Sequence, residues 1–170
     1  TNSLAVLAAV DALGADVGLA TMALAAMTAP DGRGRRHRIS MPNGDFDLID
    51  DSYNASPVSM RAAFKVLAGA TVLQGGRRIA VLGEMKELGP ASGDMHSALA
   101  ADIEAAGIDL VITSGALMAG LSEALPGIMR VAQCENSDEA ADKAVDVIRP
   151  GDVILVKGSL ASGMARVVEG

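Results

Sequence analysis

The stretch that decides the fold is Arg78-Ile79-Ala80-Val81-Leu82-Gly83. Four apolar residues stand in an unbroken run between an arginine and a glycine. Such a run has the length of a strand and lacks the polar alternation of a sheet face open to water. Short strand-like stretches recur downstream in Leu110-Val111-Ile112-Thr113-Ser114-Gly115, in Met129-Arg130-Val131-Ala132, which Arg130 interrupts, and in Asp152-Val153-Ile154-Leu155-Val156-Lys157-Gly158. Helical segments lie between and around these runs, over about 57–68, 91–106, 116–124 and 136–148, with a last one from about 162. Short apolar strands alternating with helices predict an α/β fold with a mostly parallel sheet flanked by helices. Three of the strands end in Gly or Ser-Gly at their carboxyl edge, where open α/β sheets bind ligands.

Upstream of this beat, residues 33–40 and 45–51 read as a hairpin turned by Pro42-Asn43-Gly44. With Asn43-Gly44 as the central pair, residue 41 should face 46, residue 39 should face 48, and residue 36 should face 51. One face then carries Ile39, Met41, Phe46 and Leu48, and the other Arg36, Arg38, Ser40, Asp47, Ile49 and Asp51. Further upstream, residues 3–13 and 17–27 read as two Ala-rich helices separated by Gly14. The first is apolar on nearly every side, as expected of a helix buried within a larger body. Pro30-Asp31-Gly32 is a breaker cluster and marks a candidate domain boundary. The chain has no initiator Met and its first residues already read as mid-helix, which suggests a piece of a longer protein.

Composition narrows the function. At 170 residues, the length fits one domain plus part of another, and folding should bury about 69% of the unfolded chain's surface. Aromatics are 2% of residues, with two Phe, one Tyr and no Trp, so stacking platforms for single-stranded nucleic acid are nearly ruled out. A net charge of −7 argues against general binding of nucleic acid or anionic membranes. A single cysteine, Cys134, cannot form an internal disulfide, and with two distant His the chain offers no Cys- or His-rich metal site. No apolar run reaches the length of a membrane span, and no basic leader region precedes the first helix. No internal repeat or low-complexity tract is present.

Four constellations could carry chemistry. Asp50-Asp51-Ser52-Tyr53-Asn54-Ala55-Ser56-Pro57 lies between a strand and a helix, a junction whose amides attract anions and whose carboxylates can grip ribose hydroxyls. Capping alone explains Ser56 and Pro57, but not the Asp-Asp-Ser-Tyr-Asn cluster before them. Arg33-Gly34-Arg35-Arg36-His37-Arg38 places four of 14 basic residues in six positions. Hairpin pairing accounts for Arg36 and Arg38, leaving Arg33, between two glycines, as the better phosphate ligand. Val156-Lys157-Gly158-Ser159-Leu160-Ala161-Ser162-Gly163 could cradle an anion, although it lacks the Lys-Ser/Thr of a P-loop. Val81-Leu82-Gly83-Glu84-Met85-Lys86-Glu87-Leu88-Gly89 reads first as a strand-to-helix loop with solvated charges, and a paired-carboxylate acid/base site is the competing reading. His96 reads as a surface or packing residue and Cys134 as a buried inert thiol.

Taken in order, Asp-Asp-Ser-Tyr-Asn-Ala, Ser-Met-Arg-Ala-Ala, Val-Leu-Gly-Glu-Met-Lys-Glu-Leu-Gly and Val-Lys-Gly-Ser resemble the Mur ligases of bacterial peptidoglycan synthesis. The likeness is to the branch that joins D-alanyl-D-alanine to UDP-N-acetylmuramoyl-tripeptide, and it runs the length of the chain. It implies a cytoplasmic, ATP- and Mg²⁺-dependent enzyme: a tripeptide carboxylate becomes an acyl phosphate, the dipeptide amine attacks it, and phosphate leaves. It implies that residues 1–30 are the tail of a central ATPase domain and that 31–170 form a carboxy-terminal Rossmann-like domain, inactive alone, that closes on the other two. It further implies that Asn2 lies near the adenine, Arg33 reaches the ATP phosphates, Asp51 holds the ribose, and Tyr53 and Asn54 share that nucleotide-facing motif. Lys157 and Ser159 would face the acceptor. The family usually has Arg where this chain has Leu160, and more often Asp where it has Glu84. Two other readings are a free-standing module that binds a nucleotide or partner without catalysis, and a related ligase such as folylpolyglutamate synthase, which the Asp-Asp-Ser-Tyr-Asn motif disfavours.

Overall fold

A computed structural model describes residues 2–73 and 75–170. Two helices, α1 (Asn2–Ala12) and α2 (Val17–Ala26), pack against each other ahead of the sheet. Asp16 caps α2 by accepting from the Leu19 amide at 3.0 Å. Leu4 of α1, Leu13 just after it, and Leu19 and Met22 of α2 are all exposed, because nothing among the described residues covers that face.

The body is a six-stranded sheet in the order β1-β2-β6-β3-β4-β5, made of β1 (Arg35–Met41), β2 (Gly44–Asp51), β3 (Arg78–Gly83), β4 (Leu110–Ser114), β5 (Arg130–Cys134) and β6 (Val153–Lys157). Only β1 runs antiparallel. One face is covered by α3 (Pro57–Ala68), α4 (Ser92–Ser97), α5 (Leu99–Ala105) and α6 (Ala119–Ala124), the other by α7 (Ser137–Val147) and α8 (Ala165–Glu169). Alternate strand residues feed the two cores. Ile49, Ala80, Leu82 and Leu155 join Phe64 and Leu67 on the α3 side, while Leu48, Ile79, Val81 and Ile154 join Ala140 and Val167 on the α7 side. The segment expected as one helix over 91–106 divides at Ala98, where Ser97 Oγ donates back to the Gly93 carbonyl at 3.1 Å, a bond that bends helices.

The hairpin register differs from expectation by two residues: Met41 faces Gly44, Ile39 faces Phe46, and Arg36 faces Ile49. Pro42 and Asn43 form the corner. Proline's fixed φ suits the first corner position, and the turn therefore starts one residue early, with Gly44 at φ +131° opening β2. A shift of two preserves facing, so Ile39, Met41, Phe46 and Leu48 still share one side. Arg38 pairs with Asp47 and Asp45 at 3.4 and 3.3 Å, but Asp51 does not lie opposite Arg36.

Candidate functional site

β2 and β6 are parallel neighbours, and their last residues, Asp51 and Lys157, stand side by side in register. From there β2 leads into α3 on one face and β6 toward α8 on the other. Strands whose connections part in this way open a crevice at their carboxyl ends. A cleft of about 360 Å³ occupies it, lined by Arg33, Asp51, Tyr53, Asn54 and Lys157 together with Ser56 and Ser59 of α3. Five of the seven side chains expected from the sequence therefore meet in one place, although they come from positions as far apart as 33 and 157.

The matching crevice between β6 and β3 is filled. A Cβ on Gly158 would lie 2.4 Å from Ser162 Oγ and 2.5 Å from Met164 Cγ, and one on Gly83 would lie 2.5 Å from the same Met164 atom. These strand-end glycines serve close packing. The turn after β6 is accordingly no open anion cradle, since its interior holds its own side chains and Ser162 Oγ bonds the Ser159 carbonyl at 2.6 Å.

Lys157 is almost fully buried, at 2% exposure. Its ammonium donates to Asp51 Oδ2 at 2.7 Å and to the Asn54 carbonyl at 2.8 Å. The Asp51 side chain keeps 26% of its surface, and its Oδ1 makes no hydrogen bond among the described residues, so one carboxylate oxygen remains available at the cleft. Asn54 Oδ1 accepts from the Ala55 amide. Ser56 caps α3 in a reciprocal box with Ser59, which aims the helix amino terminus, and its partial positive charge, at the cleft.

Arg33 lies across the Tyr53 ring, 4.2 Å from guanidinium carbon to ring centre. Gly32 makes this possible. At φ +72° its Cα approaches Tyr53 so closely that a Cβ would sit 2.9 Å from Tyr53 Cβ. The Tyr53 amide donates to the Gly32 carbonyl at 3.0 Å. Behind them lies Asp50, 4% exposed, which sequence reasoning grouped with the motif but gave no role. It shares the buried face of Phe46 and Leu48, and a carboxylate on such a face must be paired; that was the available signal.

Ser159 does not line the cleft. It is 5% exposed, its amide bonds the Glu84 carbonyl at 3.0 Å, and its Oγ has no partner among the described residues. Asn2 opens α1, and its side chain lies outside the described residues. Glu84 departs from the expected solvated loop. Its Oε1 accepts from the Leu117 amide at 2.9 Å and its Oε2 from Lys86. Burial pushes its pKa up, but the Lys86 hydrogen bond, the Leu117 amide and the Lys86 charge outweigh it and hold the carboxyl below its ordinary value. His96 is a packing residue: fully buried, it accepts from the Met85 amide at Nε2 (2.9 Å), which leaves Nδ1 to donate to the Ser92 carbonyl (2.7 Å). Cys134 is buried, and burial, then Glu139, raises its thiol pKa. Among the described residues, no three His, Cys, Asp or Glu side chains gather as a metal site.

A cleft at the carboxyl ends of two parallel strands whose connections part to opposite faces is the ligand-binding position of an open α/β domain. The chain belongs to the Mur ligase family: the family described as "Mur ligase, glutamate ligase domain" matches residues 34–160. Among its relatives is the UDP-N-acetylmuramoyl-tripeptide–D-alanyl-D-alanine ligase of Mycobacterium tuberculosis, 34% identical across 99% of this chain and 36% of its own. The crystal structure of MurF from Acinetobacter baumannii superposes with a TM-score of 0.83 at 28% identity, over 99% of this chain and 36% of that one. MurF ligase from Thermotoga maritima, solved in complex with ADP, gives 0.75 at 25% identity over 96% and 35%. The chain thus spans about 36% of the length of the relatives it matches.

Proposed function

We propose that this chain is the nucleotide-gripping, carboxy-terminal part of an ATP-dependent ligase that joins D-alanyl-D-alanine to UDP-N-acetylmuramoyl-tripeptide. One observation carries the reading: Arg33, Asp51, Tyr53, Asn54 and Lys157 converge on one crevice. Asp51 Oδ1 suits a ribose hydroxyl, and Arg33 suits phosphate oxygens, which a guanidinium fork matches well. Lys157 holds Asp51 in place. With its ammonium engaged by Asp51 and Asn54, it acts on the nucleotide side, and any contact with the acceptor is indirect.

The chemistry assigned to the whole enzyme is phosphorylation of the tripeptide carboxylate by ATP, followed by attack of the dipeptide amine. The residues here bind and orient; the sequence holds no P-loop and no metal-holding cluster gathers among the described residues, so Mg²⁺ and phosphoryl transfer are assigned to the rest of the enzyme. Residues 1–30 are assigned to the preceding ATPase domain, which would cover the apolar surface of α1 and α2, and 31–170 to a closing lid. The cytoplasm is the compartment that supplies ATP, and no helix among the described residues is long and apolar enough to cross a membrane.

The test uses the complete ligase. Arg33→Ala and Asp51→Ala should each raise the KM for ATP about tenfold or more, the worth of a charged hydrogen bond. The chain alone should release no phosphate from ATP with both acceptor and donor present. Unchanged ATP kinetics in both variants, or turnover by the chain alone, would overturn the assignment.

A further inference from the structure

We propose that Asp50, rather than any residue in the cleft, sets the position of the Arg33–Tyr53 pair. The inference rests on the reading that this pair faces the nucleotide. Asp50 Oδ2 accepts from the Gly32 amide at 2.7 Å, and Oδ1 accepts from Ser52 Oγ at 2.6 Å and the Ser52 amide at 3.2 Å. Its own carbonyl takes the Gly34 amide at 2.7 Å. The residue immediately before Arg33 and the residue immediately before Tyr53 are therefore tied to one carboxylate of a residue that is 4% exposed, while the residue after Arg33 is held by the main-chain carbonyl of the same Asp50. The main-chain bond from the Tyr53 amide to the Gly32 carbonyl runs alongside, and among the described residues Asp50 supplies the only side-chain hydrogen bond between the 31–34 segment and the end of β2.

The consequence is mechanical. Segment 32–34 is knit to β2, so Arg33 moves with the sheet and not with α1 and α2. Between α2 and Gly32, among the described residues, only the exposed Asp31 reaches the sheet, through its surface pair with Arg35 of β1. Asp50 touches no substrate on this reading; it is a positioning residue. Its charge is essential to the role, because it accepts from three donors at once. An amide in its place has one acceptor oxygen and would set an N–H₂ against either Gly32 or Ser52.

Tyr53 is the only tyrosine in the chain, so the protein grown with ¹³C-labelled tyrosine gives a single ring signal that reports the Arg33 stack. Arg33→Ala supplies the reference for an unstacked ring. Asp50→Asn should move the Tyr53 signal at least halfway to that reference while far-UV circular dichroism stays native. Should Asp50→Asn fail to fold, Ser52→Ala, which removes one donor and leaves the carboxylate, carries the test with a smaller shift in the same direction. A Tyr53 signal unmoved in the folded variant overturns the proposal. In the complete ligase, Asp50→Asn should raise the KM for ATP about tenfold, and Asp50→Glu, which keeps the charge, should recover part of that loss. If Arg33→Ala leaves ATP kinetics untouched, the nucleotide reading fails, while the ring signal still judges Asp50 by itself.

Discussion

The Lys157–Asp51 pair allows a sharp stability prediction, because its two members are unequally buried. Lys157 keeps 2% of its side-chain surface and Asp51 keeps 26%. Replacing Asp51 by Ala leaves an ammonium in the interior with only the Asn54 carbonyl for company. Breaking a buried pair in this sense costs about 3–4 kcal/mol. Replacing Lys157 by Met leaves a carboxylate that water can reach, and the loss falls to about 2 kcal/mol, the scale of a charged hydrogen bond. Removing both charges should cost less than removing Asp51 alone, since no unpaired ion is left behind.

Urea unfolding of the chain followed by far-UV circular dichroism measures all three variants, and the cycle isolates the coupling. At about 2–4 °C per kcal/mol for a chain of this size, Asp51→Ala should melt about 6–16 °C below the parent. The reasoning is refuted if Lys157→Met proves as costly as Asp51→Ala, or if the double variant loses the sum of the two. Either result would mean that Lys157 is solvated in the folded state and that its link to Asp51 is incidental.

Two further outcomes follow from the loops at the sheet edge. The Glu84 carboxyl is held below its ordinary value of 4.5, so its contribution is fully present above that pH and is lost as pH falls through the lowered folded value; Glu84→Gln should melt below the parent at pH 7, with the gap closing below pH 4.5, and a gap constant from pH 7 to 3 would contradict this. Gly158→Ala, whose Cβ would lie 2.4 Å from Ser162 Oγ and 3.1 Å from Gly83 Cα, should cost about 1–3 kcal/mol by overpacking, whereas Gly93→Ala in α4, with open space around its Cβ, should be neutral or stabilising in the same thermal melts.

How much of this was readable beforehand depended on the range of the interaction. β3, β4 and β6 were legible because each carries an unbroken apolar run, and burial on both faces removes the need for alternation, whereas β5, at the sheet edge, is broken by Arg130 and Gln133 and was marked only by a short apolar stretch. The hairpin was legible as a hairpin, but two local signals competed at its corner. Asn43-Gly44 is a strong central pair and Pro42 a strong first corner residue, and proline prevailed because its φ is covalently fixed. The meeting of Asp51 with Lys157 was not legible as geometry. It depends on β6 returning past β4 and β3 to insert beside β2, and no local pattern in either segment states that strand order. Glu84 was misjudged for the same reason, since its partner, the Leu117 amide, belongs to the loop after a different strand.

The electrostatics of the cleft bear on what the chain can do by itself. The protein carries a net charge of −7, which repels a polyphosphate at distances up to a Debye length of about 8 Å at physiological salt. Inside the cleft the balance reverses only slightly. Two cations line it, Arg33 and Lys157, and the charge of Lys157 is taken up by Asp51. What remains to meet an anion is Arg33 and the amino terminus of α3, the latter equivalent to roughly half a charge. On the proposed reading, such a surface supplies one clamp and one ribose contact, and little attraction at long range. The nucleotide should therefore be captured by the rest of the ligase and gripped by this domain only on closure. Positioning of Arg33, through Gly32 and Asp50, then matters more than the total number of positive charges the domain carries.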